Sequence, residues 1–178
     1  LFLPGMNESE FLLYCKNNEY SPPALKQFQA APLLARQELG GKERLNHDSY
    51  FDHNVRIAFI LAENRADPET VIAGLLHGLF YLKNQIKSQF GDEVWLLVMG
   101  GEEIKNIKSN KTYVEAEGLR KIILATLKDV RIILIKLATK IDNLRTIEVL
   151  PPADQKRIAQ EALEVYASLA SRLGSERM

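Results

Sequence analysis

Val130-Arg-Ile-Ile-Leu-Ile-Lys-Leu-Ala-Thr-Lys-Ile141 is the stretch whose reading decides the fold. Val130, Ile133, Leu134, Leu137, Ala138 and Ile141 recur at the three- and four-residue intervals of one helix face. This is the most apolar helical pattern in the chain, so its expected place is the centre of a helical bundle. The run Ile132 to Ala138 is short and interrupted by Lys136, far below the roughly 20 residues a membrane span needs.

Working outward, helical periodicity continues almost everywhere. Upstream, Leu119, Ile122, Ile123 and Leu127 give another stripe. Lys105 to Lys111, rich in lysine and without acids, reads as a mobile, solvated loop after the Gly100-Gly101 pair loosens the chain. Before it, a helix carries Val94, Leu97 and Val98, with Trp95 read as core packing and Gly91 as the interruption that precedes it.

Asp67-Pro-Glu-Thr-Val-Ile-Ala-Gly-Leu-Leu-His77 opens as a helix should, with Asp67 as cap and Pro68 at the first helical position. Val71, Ile72, Leu75, Leu76 and Leu79 then carry the apolar face and place His77 inside that helix. The helix before it is apolar on most faces from Val55 to Ala62, hence buried, with His53 at its start. A polar loop, Lys42 to Asp52, precedes it.

Near the N-terminus, Asn7 or Ser9 caps a helix running to about Asn18, and Ser21-Pro22-Pro23 opens the next. Pro32 should break or kink that second helix, and Gly40-Gly41 end it. After Pro151-Pro152, residues Ile158, Ala162, Val165, Tyr166, Leu169 and Leu173 give a last long amphipathic helix. The expectation is one all-α domain over residues 1–178, a compact bundle of about eight helices.

Length and composition agree. A chain of 178 residues, 46% apolar and 26% charged, suits one globular domain. Lys plus Arg equals Asp plus Glu, 23 against 23, so no net field draws the chain to nucleic acid or anionic lipid. Cys15 is the only cysteine, which excludes an intramolecular disulfide and argues against a thiolate metal cluster. Residues Leu1 to Met6 lack the basic flank and apolar core of a signal peptide. The expectation is a cytoplasmic protein.

His53 and His77 are the residues through which chemistry would enter; His47 lies in the polar loop. A histidine on a buried helix is more often a satisfied core residue than a ligand, but two on neighbouring helices keep a metal reading open.

The Asp67–His77 stretch resembles the second-histidine helix of the HD-type hydrolase domain of the RelA/SpoT alarmone enzymes. The likeness continues through Phe90-Gly-Asp-Glu-Val94, Leu119-Arg-Lys-Ile122, Asp129-Val-Arg-Ile-Ile-Leu-Ile-Lys-Leu-Ala138, Asn143-Leu-Arg-Thr146 and Val165-Tyr-Ala-Ser-Leu-Ala-Ser-Arg-Leu-Gly174. It covers most of the chain in the family's order, and implies an HD-like helical fold.

That family holds manganese on a first histidine, a His-Asp pair and a later aspartate, and hydrolyses (p)ppGpp at its 3′-pyrophosphate. A hard divalent ion prefers carboxylate oxygens and lowers the pKa of bound water. Carried over residue by residue, the resemblance keeps His53 and His77. It places Gly78 at the paired aspartate, Tyr81 and Leu82 at an acidic pair that assists proton transfer, and Thr139 at the later aspartate. The metal site is thus expected to be vestigial, with no catalytic residue and no cofactor.

Asp142, three residues after Thr139, or Asp52 or Asp48 near His53, would be the neighbours able to restore a site; a solvated or ion-paired surface position is the expectation for Asp142. For nucleotide, the resemblance puts Arg44 against a guanine base and Asn143 and Thr146 along the pocket. The alternatives are a solvated loop arginine and a helix-end cap. The loop reads Arg44-Leu-Asn-His-Asp-Ser-Tyr50 where the family has Arg-Lys-Ser-Gly-Glu-Pro-Tyr.

The implied function is a non-hydrolytic HD region, structural or regulatory, in a longer alarmone synthetase. In the family a segment like Val165–Gly174 leads into a synthetase domain, and Leu1 suggests a start inside a longer reading frame. That downstream domain is the expected partner, with guanine nucleotides next and no membrane or direct nucleic-acid partner. The alternatives are a (p)ppGpp 3′-pyrophosphohydrolase with a rearranged metal site and a non-cleaving guanine-nucleotide module.

Overall fold

Caps written into the sequence set the first four helix starts in the computed structural model, which describes residues 7–44, 46–105 and 129–167. Asn7 opens α1 (Glu8–Asn17). Its side chain accepts from the Glu10 N–H and the Glu10 carboxylate accepts from the Asn7 N–H, each at 3.0 Å. Ser21 caps α2 (Pro22–Leu39), Ser49 caps α3 (Tyr50–Glu63) and Asp67 caps α4 (Pro68–Leu75). In α2 and α4 the prolines sit in the first turn, where a missing N–H has no helical partner to lose.

Then follow α5 (Lys83–Phe90), α6 (Asp92–Lys105) and α7 (Arg131–Arg145). A 3₁₀ turn, Ile147–Val149, leads to α8 (Pro152–Glu161), which continues into a π-helical turn, Ala162–Ala167. The described residues are all-helical, with eight α-helices and no strand beyond one isolated bridge between Glu43 and Ser49. The stripe expected at Leu119–Leu127, the loop expected after Lys105 and the end of the last helix lie outside the described residues.

Helix α3 is the hub, packing on α4, α7, α1 and α2, while α6 covers α4 and α7. From Phe51 to Ala62 only Asp52 and Arg56 are not buried, as its apolar faces require. Ile57, Leu61, Ile72, Leu75, Leu97 and Ile133 are among its fully enclosed neighbours and partners.

Four local expectations change. Helix α2 does not break at Pro32: one intrahelical hydrogen bond is lost, and burial of Phe28, Ala31, Leu34 and Ala35 holds both halves to the core. Nor does Gly100-Gly101 end α6. A Cβ on Gly100 would stand 2.3 Å from Ile132 Cδ1, so this glycine lets α6 and α7 approach closely. Helix α4 stops at Leu75, which leaves His77 in the turn beyond it. In α7, Val130 precedes the helix and is exposed, and the buried face takes in Ile132, Ile135 and Asp142. The inward face therefore includes a carboxylate, which apolar periodicity cannot register.

Candidate functional site

Helices α3 and α7 meet through polar side chains within the apolar core. His53 in the first turn of α3 is 4% exposed and Asp142 near the end of α7 is 0% exposed. Their Nδ1 and Oδ2 atoms lie 2.6 Å apart. Burial pushes the His53 pKa below its usual 6.5, and the Asp142 hydrogen bond only partly opposes this. The ring is therefore neutral near pH 7. A carboxylate can only accept, so Nδ1 carries the proton and Nε2 keeps a lone pair.

Burial alone would raise the Asp142 pKa, but hydrogen bonds from His53 and Arg56 outweigh it and hold the carboxyl below the usual range. Arg56 Nε donates to Asp142 Oδ1 at 2.6 Å and its Nη2 to Oδ2 at 3.2 Å. The same guanidinium also donates to the Asp48 carboxylate. Burial would lower the Arg56 pKa; the two carboxylates instead drive it above its ordinary value. The expectation of a surface position for Asp142 is corrected: it is enclosed and fully engaged.

The 42–49 loop folds over this group. The Arg44 N–H donates to the Asp48 carbonyl at 2.8 Å, and Tyr50 N–H to the Lys42 carbonyl at 3.1 Å. Arg44 Nη1 reaches Asp48 Oδ2 at 3.1 Å, its Nη2 donates to Asn143 Oδ1, and it lies 3.8 Å from Asp142. Arg44 is thus an anchored residue rather than a solvated one, with its side chain 16% exposed. Arg44 and Asn143, 99 positions apart, are in contact. Thr146 sits a turn further along, its hydroxyl donating to the Asp142 carbonyl at 3.3 Å.

His77 faces His53 edge-on, with ring centroids 5.9 Å apart. Asn54 fixes the turn that carries it: its Nδ2 donates to the Leu75 carbonyl at 3.0 Å and the His77 carbonyl at 2.9 Å. Gly78 follows at φ +82°, in the left-handed region that favours glycine. A Cβ there meets nothing within 4 Å, so backbone conformation and not space opposes a side chain.

At the other positions where the resemblance expects acids, no carboxylate turns inward. Tyr81 is exposed and donates to Glu38 at 3.3 Å, Leu82 packs against the core, and the Thr139 hydroxyl donates to the Ile135 carbonyl at 2.8 Å. Asp52 is exposed in the first turn of α3, and the His47 side chain is exposed at the loop tip. Arg56 and Asn54 are the residues that sequence reasoning missed. The signal available was polarity on an otherwise buried helix: with apolar neighbours on all sides, each needed a partner.

The donor set fits a hard divalent ion poorly. An imidazole ligand supplies no negative charge, both Asp142 oxygens are occupied by His53 and Arg56, and Asp48 is held by two guanidinium groups. Among the described residues no three His, Cys, Asp or Glu side chains are grouped to hold a metal.

The HD domain family matches residues 30–176 of the chain. The chain belongs to the HD domain family. This HD domain is 39% identical over 157 residues, 85% of its length, to a guanosine-3′,5′-bis(diphosphate) 3′-pyrophosphohydrolase of Vibrio cholerae. It is 39% identical over 155 residues, 84% of its length, to the bifunctional (p)ppGpp synthase/hydrolase SpoT of Escherichia coli. A GTP pyrophosphokinase of Streptomyces coelicolor is 38% identical over 154 residues, again 84% of the chain. The matched region spans 22%, 22% and 18% of those relatives. No described helix of the HD domain is long and apolar enough to cross a membrane.

Proposed function

We propose that this is a non-hydrolytic HD domain of an alarmone enzyme, working through its shape rather than through turnover. The observation that carries the reading is the enclosure of Asp142: the carboxylate hydrogen-bonded to His53 is also tied through both oxygens to Arg56, which leaves it closed to an ion. The relatives' names supply the metabolic setting, and their greater length supports a further synthetase domain in the same protein. In that setting the domain would bias the conformation of its neighbour by packing against it.

A second reading has its own support. Arg44, Asn143 and Thr146 gather at one end of α7, which favours a guanine-nucleotide site that binds without cleaving. The rearranged-site hydrolase is the reading the donor set supports least.

One experiment on this chain separates the three. With (p)ppGpp and manganese, product is followed by chromatography, and the same nucleotide is titrated by calorimetry with Arg44→Ala as control. No product above background is expected, and sustained release of pyrophosphate would overturn the proposal. Binding heat lost in Arg44→Ala selects the nucleotide module; absence of heat ends that second reading.

A further inference from the structure

The cation at this site comes from the chain itself. We propose that the Arg56 guanidinium takes the place in the charge balance that a divalent ion takes in catalytic HD domains, so that this region is ordered without metal. The inference deepens the non-hydrolytic reading and rests on it for its comparison with catalytic domains; its geometry stands independently.

A metal ion in such a domain does two structural things besides chemistry: it neutralises inward carboxylates, and it cross-links the elements that carry them. Arg56 does both. Its planar fork meets Asp142 through Nε and Nη2, and the remaining donors reach Asp48. This joins α3 to α7 and to the 42–49 loop in one hydrogen-bonded group. Arg44 completes the balance, giving two guanidinium groups against two carboxylates, Asp48 and Asp142.

The fork geometry matters because both Asp142 oxygens must be met at once, which a lysine ammonium cannot reproduce. Through Asp142, Arg56 also acts on His53. Holding the carboxylate in place keeps the proton on Nδ1, so Arg56 is a positioning residue for that tautomer. A dication placed beside two guanidinium groups would meet repulsion instead of a carboxylate cage.

Thermal melts of the whole chain test this. The wild-type melting temperature is expected to be the same in EDTA, in manganese chloride and in neither; a fall in EDTA or a rise of several degrees with manganese would overturn the proposal. Arg56→Ala is expected to melt roughly 8 °C lower. Part of that loss should return on adding ethylguanidinium at concentrations too low to denature, and none on adding manganese.

Arg56→Lys, which keeps charge but not the fork, should fall between the two and serves if the alanine variant does not fold. Nitrogen NMR on labelled histidine gives the readout that mere packing would not move: His53 should show the Nδ1–H tautomer in wild type and lose that preference in Arg56→Lys. A variant as stable as wild type with an unchanged tautomer would sink the idea. Turnover in the nucleotide assay alongside metal-independent melting would overturn the non-hydrolytic reading and leave the Arg56 cross-link intact.

Discussion

Asp142→Ala should destabilise the domain by roughly 3–5 kcal/mol, the usual cost of removing one partner from a buried charge pair. The loss is large because the partner left behind cannot escape. Arg56 is 14% exposed in its side chain and would keep only its Asp48 bonds, with its Nε unmet, and His53 would lose the acceptor at its Nδ1. Asp142→Asn should cost less, since an amide oxygen still accepts from Arg56 while the neutral group forfeits most of the charge attraction. Replacing both partners with apolar residues, Arg56→Met with Asp142→Leu, should recover part of the single-variant loss, because no unpaired charge remains. Urea midpoints across the four proteins measure this. Asp142→Ala within 1 kcal/mol of wild type, by an order-of-magnitude standard for surface changes, would mean that the pair is not buried in solution.

Stability should also fall on acidification in two stages. His53 is held neutral in the folded chain, with its pKa below 6.5, so unfolding takes up a proton once the pH drops under about 6.5. Its contribution is complete above that value and is lost as the pH falls toward the folded pKa. Asp142, Asp67 and Asp129 have folded pKa values below 3.8, so theirs persists above about 3.8 and disappears as the pH falls through the folded values. Burial is the largest cause; of the groups around His53, Asp142 raises its pKa while Arg44 and Arg56 lower it, and the His77 ring stands edge-on beside it. Urea midpoints from pH 8 to pH 4 should decline below about 6.5, and His53→Gln should flatten that first stage. A wild-type midpoint that rises between pH 6.5 and 5 would contradict the assignment of a neutral, buried imidazole.

The sequence made the helices readable because their signals are local. Asn7, Ser21 and Asp67 announce starts through a side chain and a backbone group three residues on, and the buried character of α3 is spelled by its own apolar faces. What it misread were positions decided by a distant partner. Gly100 resembles a breaker until Ile132 is brought against it, and Pro32 remains helical because the core holds both sides of it. The site divides in the same way. His53, His77, Arg44 and Asn143 could be named from the resemblance, and they do lie together. Asp142 and Arg56 are 86 positions apart; Asp142 alone looks like a surface charge, Arg56 alone shows only that it needs a partner, and the packing of α3 on α7 makes them a pair.

That pair, and the lack among the described residues of a ligand cluster for an ion, is tested most directly by metal stoichiometry. The purified chain would be incubated with manganese, desalted and analysed for Mn, Fe and Zn. Less than about a tenth of an equivalent is expected, because retention requires deprotonated donors that are free to ligate. A full equivalent of any of the three, lost together with Asp142→Asn or His77→Gln, would contradict a site whose cation is Arg56.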